Sequence, residues 1–329
     1  MAIFKADQNQ TGFFYESGTY GNISGGLHWV GQVMSCTPDE ERTTIRNRYQ
    51  GTGTRNVDQF LFGVRDYTGT LVYNPQDWKF LMFALGSNVD AGSPSPYSHT
   101  ISETNSDNGN AFTSGTRLPF MSFGLEIAQQ SAGTGQNFIR TAKGCNVNSM
   151  TISATQGEKV EVSVDWVAQT IDYSSGAATS ISEDTTRPYL WDDISVQFPS
   201  GTAISNLTQM EFTINNNANA QHFINGSKVI DAPTMDNREY TLSLSVEGNT
   251  EQTKTLYDQY YIGGSEFNAL MDFTVSAGSK EVFVALSGCR VVDMEAPHEI
   301  EGTDIQTITI EPKSASAIAN DIIELYNPW

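Results

Sequence analysis

Three cysteines and four histidines are the residues of this sequence best suited to metal or nucleophilic chemistry. Cys36, Cys145 and Cys289 lie far apart, and no two of them have the CxxC spacing of a zinc site or a redox pair. The histidines stand in no HExxH pattern or comparable ligand motif. This spacing favours buried thiols that pack as small apolar side chains, and it predicts neither a metal site nor a disulfide framework.

Loop motifs that bind phosphate or carry a nucleophile are incomplete. Residues 51–56 (GTGTRN) lack the third glycine of a dinucleotide-binding loop, and the sequence has no GxxxxGK[ST] phosphate loop. Residues 21–25 (GNISG) place the serine one position too late for a nucleophile elbow. The polar run that begins at Asn105 reaches Thr116 where a calcium loop needs a bidentate acid. We therefore predict no enzyme activity, no catalytic residue, no cofactor and no metal.

The net charge of the chain limits the kinds of partner that the protein is expected to bind. The 329 residues include 18 Lys+Arg against 38 Asp+Glu, a net charge of −20. Nucleic-acid coating and docking on anionic lipid both need clustered cations, so neither is expected. No apolar run approaches the roughly 20 residues of a membrane span, and the first residues lack the apolar centre of a signal peptide. The acidic excess is compatible with a saline habitat and equally with an assembly that must not bind cellular DNA.

The elements that would position any site are mostly strands. Residues 160–166 alternate Val, Val, Val and Trp on one face with Glu, Ser and Asp on the other, which predicts a half-buried strand. The same period of two recurs in residues 210–214, 240–246 and 282–286. Start and stop signals predict three helices. They are residues 76–85 after Asn74-Pro75 and before Gly86, residues 253–261 before Gly263-Gly264, and residues 314–326.

Two polar stretches interrupt the strands. Residues 87–116 are rich in Ser, Pro and Asn and are predicted to form a long exposed loop. Residues 174–188 are predicted to form a linker, and their central position indicates a domain boundary. We therefore expect a first domain over residues 1–175, which includes an N-terminal arm and the inserted loop, and a second domain over residues 189–329.

An internal repeat links these two halves. Residues 144–150 (GCNVNSM) return as residues 288–294 (GCRVVDM), with Gly, Cys, Val and Met at identical spacing. A segment of alternating apolar residues precedes each copy, and a glycine turn follows it at Gly157 or Gly302. The repeat predicts that each half runs strand, helix and strand before a hairpin that the Gly-Cys pair opens.

Several segments resemble the tail tube proteins of tailed viruses of bacteria and archaea. They are residues 31–40 (GQVMSCTPDE), residues 212–217 (FTINNN), and residues 229–230 leading to residues 238–244 (REYTLSL). The Gly-Cys hairpins fit the same family, and the resemblance spans roughly residues 31–310. It implies tandem β-sandwich domains, each with a flanking helix and a long hairpin that joins neighbouring domains into a closed β-barrel ring. Stacked rings would form a hollow tube for ejection of the genome.

The resemblance also implies an assembly and its partners. Simple family members carry one tube domain per chain and place six chains in a ring. Two domains per chain would make a homotrimer with a pseudo-hexameric ring, and a ring of six chains is the alternative. The implied partners are other copies of the chain and the tape measure, tail terminator and baseplate or tail-tip proteins. DNA would pass without specific binding, no membrane is involved, and the chain would be made in the host cytoplasm for the virion tail tube.

The polar residues of the two Gly-Cys hairpins are candidates for the surface that faces the lumen. They are Thr151, Ser153, Glu158, Glu161 and Asp165 in the first copy, and Glu299, Glu301 and Asp304 in the second. An acidic lumen without cations would repel the phosphates of DNA and let it slide. The alternative for these residues is an outer solvated surface. The alternative functions are an exposed β-sandwich adhesin or receptor-binding virion protein, and a carbohydrate-active enzyme, which the incomplete motifs disfavour.

Overall fold

The computed structural model describes residues 4–16, 20–47, 59–91, 97–103, 122–131, 137–199, 201–224, 226–248, 254–276, 280–295 and 305–321. The first half contains β1 (Phe4–Glu16), β2 (Ile23–Trp29), β3 (Gln32–Asn47), β4 (Gln59–Asn74), α1 (Leu81–Leu85), β5 (Gly86–Ala91), β6 (Tyr97–Glu103), β7 (Phe123–Ser131), β8 (Phe138–Thr155), β9 (Glu161–Ala168) and β10 (Thr170–Ser174). The second half contains a 3₁₀ turn (Trp191–Asp193), β11 (Ile194–Gln197), β12 (Leu207–Asn215), β13 (Ala218–Asn219), β14 (Thr234–Met235), β15 (Glu239–Glu247), α2 (Leu256–Ile262), β16 (Phe267–Ser276), β17 (Lys280–Glu295), β18 (Ile305–Glu311) and β19 (Ser314–Asp321). The predicted mainly β class is confirmed.

The strands form two layers around one core. One layer is an antiparallel sheet in the order β3-β4-β9-β8-β12-β15-β18-β17, termed the eight-stranded sheet below. The other layer contains a sheet β2-β1-β7-β8-β10 and a sheet β11-β16-β17-β19-β6-β5. Buried side chains from both layers form a single cluster, as in a β-sandwich.

Two long strands, β8 and β17, belong to both layers. The first part of β8 pairs with β7 and β10, and the second part pairs with β9 and β12. The first part of β17 pairs with β16 and β19, and the second part pairs with β18. Each strand changes layer next to a glycine with positive φ, +64° at Gly144 and +61° at Gly288. Glycine adopts this conformation readily because it has no Cβ.

Buried hydrogen bonds stabilise the point at Gly144 where β8 changes layer. The amide N–H of Gly144 donates to the Glu16 carboxylate at 2.5 Å, and the Tyr20 hydroxyl donates to the Gly144 carbonyl at 2.6 Å. The Ser122 hydroxyl also donates to Glu16, at 2.5 Å. Burial raises the pKa of the Glu16 carboxyl, although the hydrogen bonds from Ser122 and Gly144 oppose the shift. The N-terminal segment is thereby fastened to the centre of β8.

The two Gly-Cys repeats have matching strand pairings. Phe123 lies opposite Cys145 and Phe267 lies opposite Cys289, and the register shifts just after each phenylalanine. A second shift follows Val147 in the pairing of β8 with β9 and follows Val291 in the pairing of β17 with β18. The separation between matching positions is constant, 289 − 145 = 291 − 147 = 144. The strands β7 to β10 therefore correspond in order and register to β16 to β19.

The apolar alternation predicted for residues 160–166 is confirmed. Val162, Val164 and Trp166 are fully buried in the core, whereas Glu161 and Asp165 are exposed on the other side of β9. The same alternation buries one side of β4, β8, β12, β15 and β18, whereas β3 at the edge has no buried residue. α1 is wholly buried within the same core. Next to it, the rings of Phe80, Phe83 and Phe123 lie with their centroids 4.9–5.2 Å apart.

The helix predicted over residues 76–85 is confirmed only at its end. α1 covers Leu81–Leu85 and ends at Gly86, as predicted, but Asn74 does not cap it. The Asn74 side chain instead donates to the Val160 carbonyl at 2.8 Å, because β4 still pairs beside β9 at this point. The second predicted helix, residues 253–261, is confirmed over residues 256–261 by α2, which winds as a π-helix and ends at Gly263. Residue 253 lies outside the described residues.

The helix predicted over residues 314–326 is wrong for its described part. β19 occupies this segment and pairs with β17 on one side and β6 on the other. Alanine favours helices, but Ala315, Ala317 and Ala319 alternate with larger or polar residues and bury one narrow face of a strand. Residues 322–326 lie outside the described part of the chain.

The long exposed loop predicted over residues 87–116 is also wrong where the structure describes it. β5 and β6 form a hairpin, and β6 pairs with β19 from the second half of the chain. Asn88, His99 and Ile101 are buried, so the hairpin contributes to the core despite its polar composition. Residues 92–96 and 104–116 lie outside the described residues.

The segment predicted as a linker is irregular but tightly held. Thr179 donates to Glu126 from its amide at 2.9 Å and from its hydroxyl at 2.7 Å. Farther along, the buried Lys280 ammonium of β17 donates to Asp184 at 2.6 Å and to the Gln76 carbonyl at 3.0 Å. Burial disfavours the charged Asp184, but hydrogen bonds from Lys280 and Thr186 outweigh it and lower the pKa of Asp184. The segment therefore connects the two halves through fixed contacts.

Replacing Gly69 with valine should destabilise the fold. A Cβ at Gly69 would lie 2.3 Å from Cζ2 of the buried Trp166 ring and 2.9 Å from the Thr37 carbonyl oxygen. We expect the free energy of unfolding to fall by about 1–3 kcal/mol, as for other overpacked cores. Urea unfolding followed by tryptophan fluorescence measures the change. Gly26→Ala is the control, because a Cβ there meets no atom within 4 Å. Equal midpoints for both variants would contradict the packing described for Trp166.

Candidate functional site

The side of the eight-stranded sheet that faces away from the core is polar. Most cross-strand partners on this side are hydroxyl, amide or carboxylate side chains, termed the polar face below, and Val72 and Val167 are apolar positions among them. Its members are Ser35, Thr37, Asp39 and Glu41 of β3, Thr68 and Thr70 of β4, Glu161, Ser163 and Asp165 of β9, Ser149, Thr151 and Ser153 of β8, Gln209, Glu211 and Thr213 of β12, Thr241, Ser243 and Ser245 of β15, Thr307 and Thr309 of β18, and Asp293 and Glu295 of β17. None of these residues is a lysine, an arginine or a histidine. The charged members are therefore all acidic, although Arg290 of β17 lies opposite Glu311 on the same side of the sheet and His222 contacts Asp66 of β4 at 2.7 Å.

Hydrogen bonds between side chains connect neighbouring strands across the polar face. The Thr70 hydroxyl of β4 donates to Asp165 of β9 at 2.6 Å, and the Ser149 hydroxyl of β8 donates to the other Asp165 oxygen at 2.9 Å. The hydroxyls of Thr151 and Thr213 lie 3.0 Å apart where β8 pairs with β12. These contacts leave a surface of short side chains, which are anchored to the sheet.

The structure brings four of the predicted lumen residues together. Thr151, Ser153, Glu161 and Asp165 all lie on the polar face of neighbouring strands β8 and β9. Glu158 lies in the turn between these strands, exposed at the end of the sheet. The other three, Glu299, Glu301 and Asp304, lie outside the described residues.

Sequence reasoning missed the acidic residues at the two sides of the polar face. Asp39 and Glu41 lie on β3, and Asp293 and Glu295 lie on β17. Clean apolar alternation would have indicated these strands, but β3 has few buried positions and β17 is irregular after Val291. The sequence could have indicated Glu211, because it lies between Met210 and Phe212 in a predicted strand and must point to the opposite side.

The eight-stranded sheet has an unpaired strand edge on each side. Within the described residues, β3 pairs only with β4, and residues 290–295 of β17 pair only with β18. Unpaired edges expose backbone N–H and C=O groups that can bind another strand. These two edges are therefore available for pairing with other chains.

A second exposed surface lies toward the end of the β3–β4 hairpin. Ile45, Phe60, Leu61 and Phe62 have 50%, 58%, 39% and 52% of their surfaces exposed and are termed the hairpin patch. The Arg42 guanidinium lies 4.9 Å from the centre of the Phe62 ring. Exposed apolar groups clustered on one element are typical of protein contact surfaces.

The residues first considered for chemistry are not arranged for it. Burial raises the pKa of the Cys145 thiol well above its ordinary value, that of Cys289 to about 11 and that of Cys36 to about 12. These thiols are therefore protonated at neutral pH, and the thiolate is the nucleophilic form. The described residues contain no group of three His, Cys, Asp or Glu side chains placed to hold a metal ion. No helix in the described part is long and apolar enough to cross a membrane.

These features define a β-sandwich protein whose exposed surfaces are strand edges, a negatively charged sheet face and an apolar hairpin. A profile of the phage tail tube protein family matches residues 13–313, and the chain belongs to that family. The resemblance seen in the sequence is confirmed, and the family places the chain in the virion tail, as a structural component. A search of curated proteins gave no significant match.

The polar face should tolerate substitution that the core does not. Asp165→Ala removes two hydrogen bonds at an exposed position, and we expect it to lower the free energy of unfolding by less than about 1 kcal/mol. Val164→Asp, one residue away, places an unpaired carboxylate in the core and should cost more than about 3 kcal/mol. Urea unfolding of both variants measures the difference. Similar losses would show that Asp165 is a structural residue of the fold.

Proposed function

We propose that this chain is the main subunit of the tail tube and that its copies form closed rings that stack into a hollow conduit for the viral genome. The observation that carries the proposal is the eight-stranded sheet, which has an unpaired edge on each side. Within the chain, the two halves of this sheet are already joined by the pairing of β8 with β12. The same kind of pairing between chains would continue the sheet around a ring and leave no edge unpaired.

The matching registers of the two repeats support a ring of three chains. If residues 1–175 and 189–329 each form one tube domain, three chains supply six domains and a pseudo-hexameric ring. Head-to-tail contacts close into a ring when the rotation between neighbours divides a full turn. A ring of six chains remains the alternative, and it would leave the second half with a different role.

The polar face is proposed as the wall of the lumen. Its members include no lysine or arginine, and Arg290 on the same side of the sheet is paired with Glu266 at 2.9 Å. The carboxylates would therefore repel DNA phosphates and prevent the adhesion that counterion release otherwise drives. Thr151, Ser153, Glu161 and Asp165 would lie on this wall, with Glu158 at its rim. Glu299, Glu301 and Asp304 are proposed for the same surface. DNA would then pass during ejection without specific binding.

The hairpin patch is proposed as the contact between successive rings. Among the described residues of the first half, it is the hairpin on which several large apolar side chains are more than one third exposed. Burying them against the next ring would remove that apolar surface from water. The end rings would present the same surfaces to the tape measure, tail terminator and baseplate or tail-tip proteins.

Electron microscopy and mass measurement of the purified protein test the ring directly. We expect hollow tubes from the wild-type chain at high concentration. Phe60→Asp with Phe62→Asp should stop growth at single rings, because charge on the hairpin patch prevents stacking. Native mass spectrometry of these rings should give three times the 36.0 kDa chain mass.

Two outcomes would contradict parts of this proposal. A mass of six chains would mean that the second half is not a second tube domain. Dispersed monomers at every concentration and salt would favour the adhesin instead. Ile224→Asp is the control for the double variant, because Ile224 is exposed outside the hairpin patch, and tubes of that variant should be normal.

Charge reversal on the polar face should make the tube retain DNA. Glu161→Lys, Asp165→Lys and Glu211→Lys together would place cations on the proposed lumen wall. We expect these tubes to hold a short DNA duplex in a form that DNase cannot cut. Retention should fall steeply, by about 10³-fold for six or more phosphate contacts, between 50 mM and 200 mM salt.

The matched control reverses the same number of exposed acids elsewhere. Glu183→Lys, Asp192→Lys and Asp258→Lys alter residues that do not belong to the polar face. DNA bound by these tubes should remain open to DNase. Protection in the control, or DNase-sensitive binding in the polar-face variant, would show that the polar face does not line the lumen.

A further inference from the structure

The junction of β8 with β12 shows how two tube-like sheets pair within one chain. Thr151 lies opposite Thr213, Met150 opposite Ile214 and Ser149 opposite Asn215. The two threonine hydroxyls are 3.0 Å apart on the polar face. This junction is a template for any junction that repeats it between chains.

Pairing registers identify which residues would repeat this junction. On one side, β12 corresponds to β3, because Met210 lies opposite Leu244 as Cys36 lies opposite Leu71. Both strands also shift register at the same place, between Leu207 and Gln209 in β12 and between Val33 and Ser35 in β3. The separation is constant, 210 − 36 = 209 − 35 = 174.

On the other side of the junction, β8 corresponds to β17. The separation there is 144, as the shared register shifts at Val147 and Val291 show. The second part of β17 and the outer side of β3 are the two edges of the eight-stranded sheet that have no partner within the described residues. The two strands that would repeat the junction are thus the two edge strands of the eight-stranded sheet.

We infer that the β17 edge of one copy pairs with the β3 edge of the next copy in the register of the internal junction, so that two pairs of carboxylates face each other. In the internal junction Thr151 lies opposite Thr213. The position on β17 that corresponds to Thr151 is Glu295 (151 + 144), and the position on β3 that corresponds to Thr213 is Asp39 (213 − 174), so Glu295 would lie opposite Asp39. The same conversion places Asp293 opposite Glu41 and Met294 opposite Glu40. The inference rests on the proposed ring and specifies its contact between chains.

The facing carboxylates make this contact weaker than its internal counterpart. Like charges directly opposite on antiparallel strands destabilise the pairing, whereas hydroxyl pairs stabilise it. The neighbours of Asp39 and Glu41 on β4 are Thr68 and Asp66, and Asp66 is bound to His222 at 2.7 Å. On β18 the neighbours of Glu295 and Asp293 are Thr307 and Thr309.

The nearest arginine of β3 does not relieve the repulsion. Arg42 contacts Glu40 at 3.3 Å, and Glu40 lies on the opposite side of the strand from Asp39 and Glu41. On β17, Arg290 lies opposite Glu311 and contacts Glu266 at 2.9 Å, so it is already paired. Cations from solution would therefore screen the two carboxylate pairs before the ring closes. Screening strengthens with ionic strength, because the Debye length falls from about 10 Å at 0.1 M to about 3 Å at 1 M salt.

A disulfide between copies tests the register. Directly opposite residues of antiparallel strands have Cα atoms about 4.5–5.5 Å apart, which suits a disulfide. Asp39→Cys with Glu295→Cys should therefore link neighbouring chains under mild oxidation in high salt. Glu40→Cys with Glu295→Cys is the control, because a shift of one residue turns the side chain to the other face. We expect at least about tenfold more linked chains from the first variant, with the linked peptides identified by mass spectrometry. Equal linking, or none in rings that form normally, would overturn the register.

A second variant tests the effect of the carboxylates. Asp39→Thr with Glu295→Thr reproduces the hydroxyl pair of the internal junction. Light scattering should show that this variant assembles at a salt concentration at least about threefold lower than wild type requires. Glu183→Thr with Asp192→Thr removes the same charge elsewhere and should leave the salt requirement unchanged. An equal change in the salt requirement of both variants would show that these carboxylates do not face each other, and it would leave the proposed ring uncontradicted. Failure of every variant and of wild type to assemble in any salt would instead overturn the proposed ring itself.

Discussion

The structure depends on two backbone positions with left-handed geometry, Gly144 and Gly288. At each of them a long strand leaves one layer and enters the other, so the two layers are joined by continuous backbone. A side chain at Gly144 would meet the Tyr20 ring at 2.7 Å, so space as well as φ restricts this position to glycine. The cysteine that follows each glycine is buried because it lies at the crossing, which explains why the repeat conserves a small apolar residue there.

The same arrangement explains why one broad side of the eight-stranded sheet is exposed. The two layers bury most of one side of the eight-stranded sheet, except at its edge strand β3, and the other side is left to water. Short hydroxyl side chains and carboxylates are well hydrated and are fixed by contacts such as Thr70 to Asp165. Such a surface suits a passage that must not bind what it carries.

The sequence predicts the strands with a buried side and fails where pairing between distant strands decides the structure. The alternation in residues 160–166 predicts β9 and places Glu161 and Asp165 on the outer side. β19 could not be predicted in this way, because its alanines favour a helix locally and only β17 and β6 hold the segment extended. The hairpin β5–β6 could not be predicted either, because its sequence is polar and its place in the fold depends on the pairing of β6 with the distant strand β19. Edge strands such as β3 carry little apolar alternation, so their acidic residues gave no signal.

The pairing of β8 with β12 also has a kinetic consequence. Because both strands belong to one polypeptide, their effective concentration is set by the connecting chain and stays constant on dilution. A junction between separate molecules has no such advantage and opens when the protein is dilute. In an assembly built from both kinds of junction, every second junction would be permanent, so growth and disassembly would proceed in units of one whole chain.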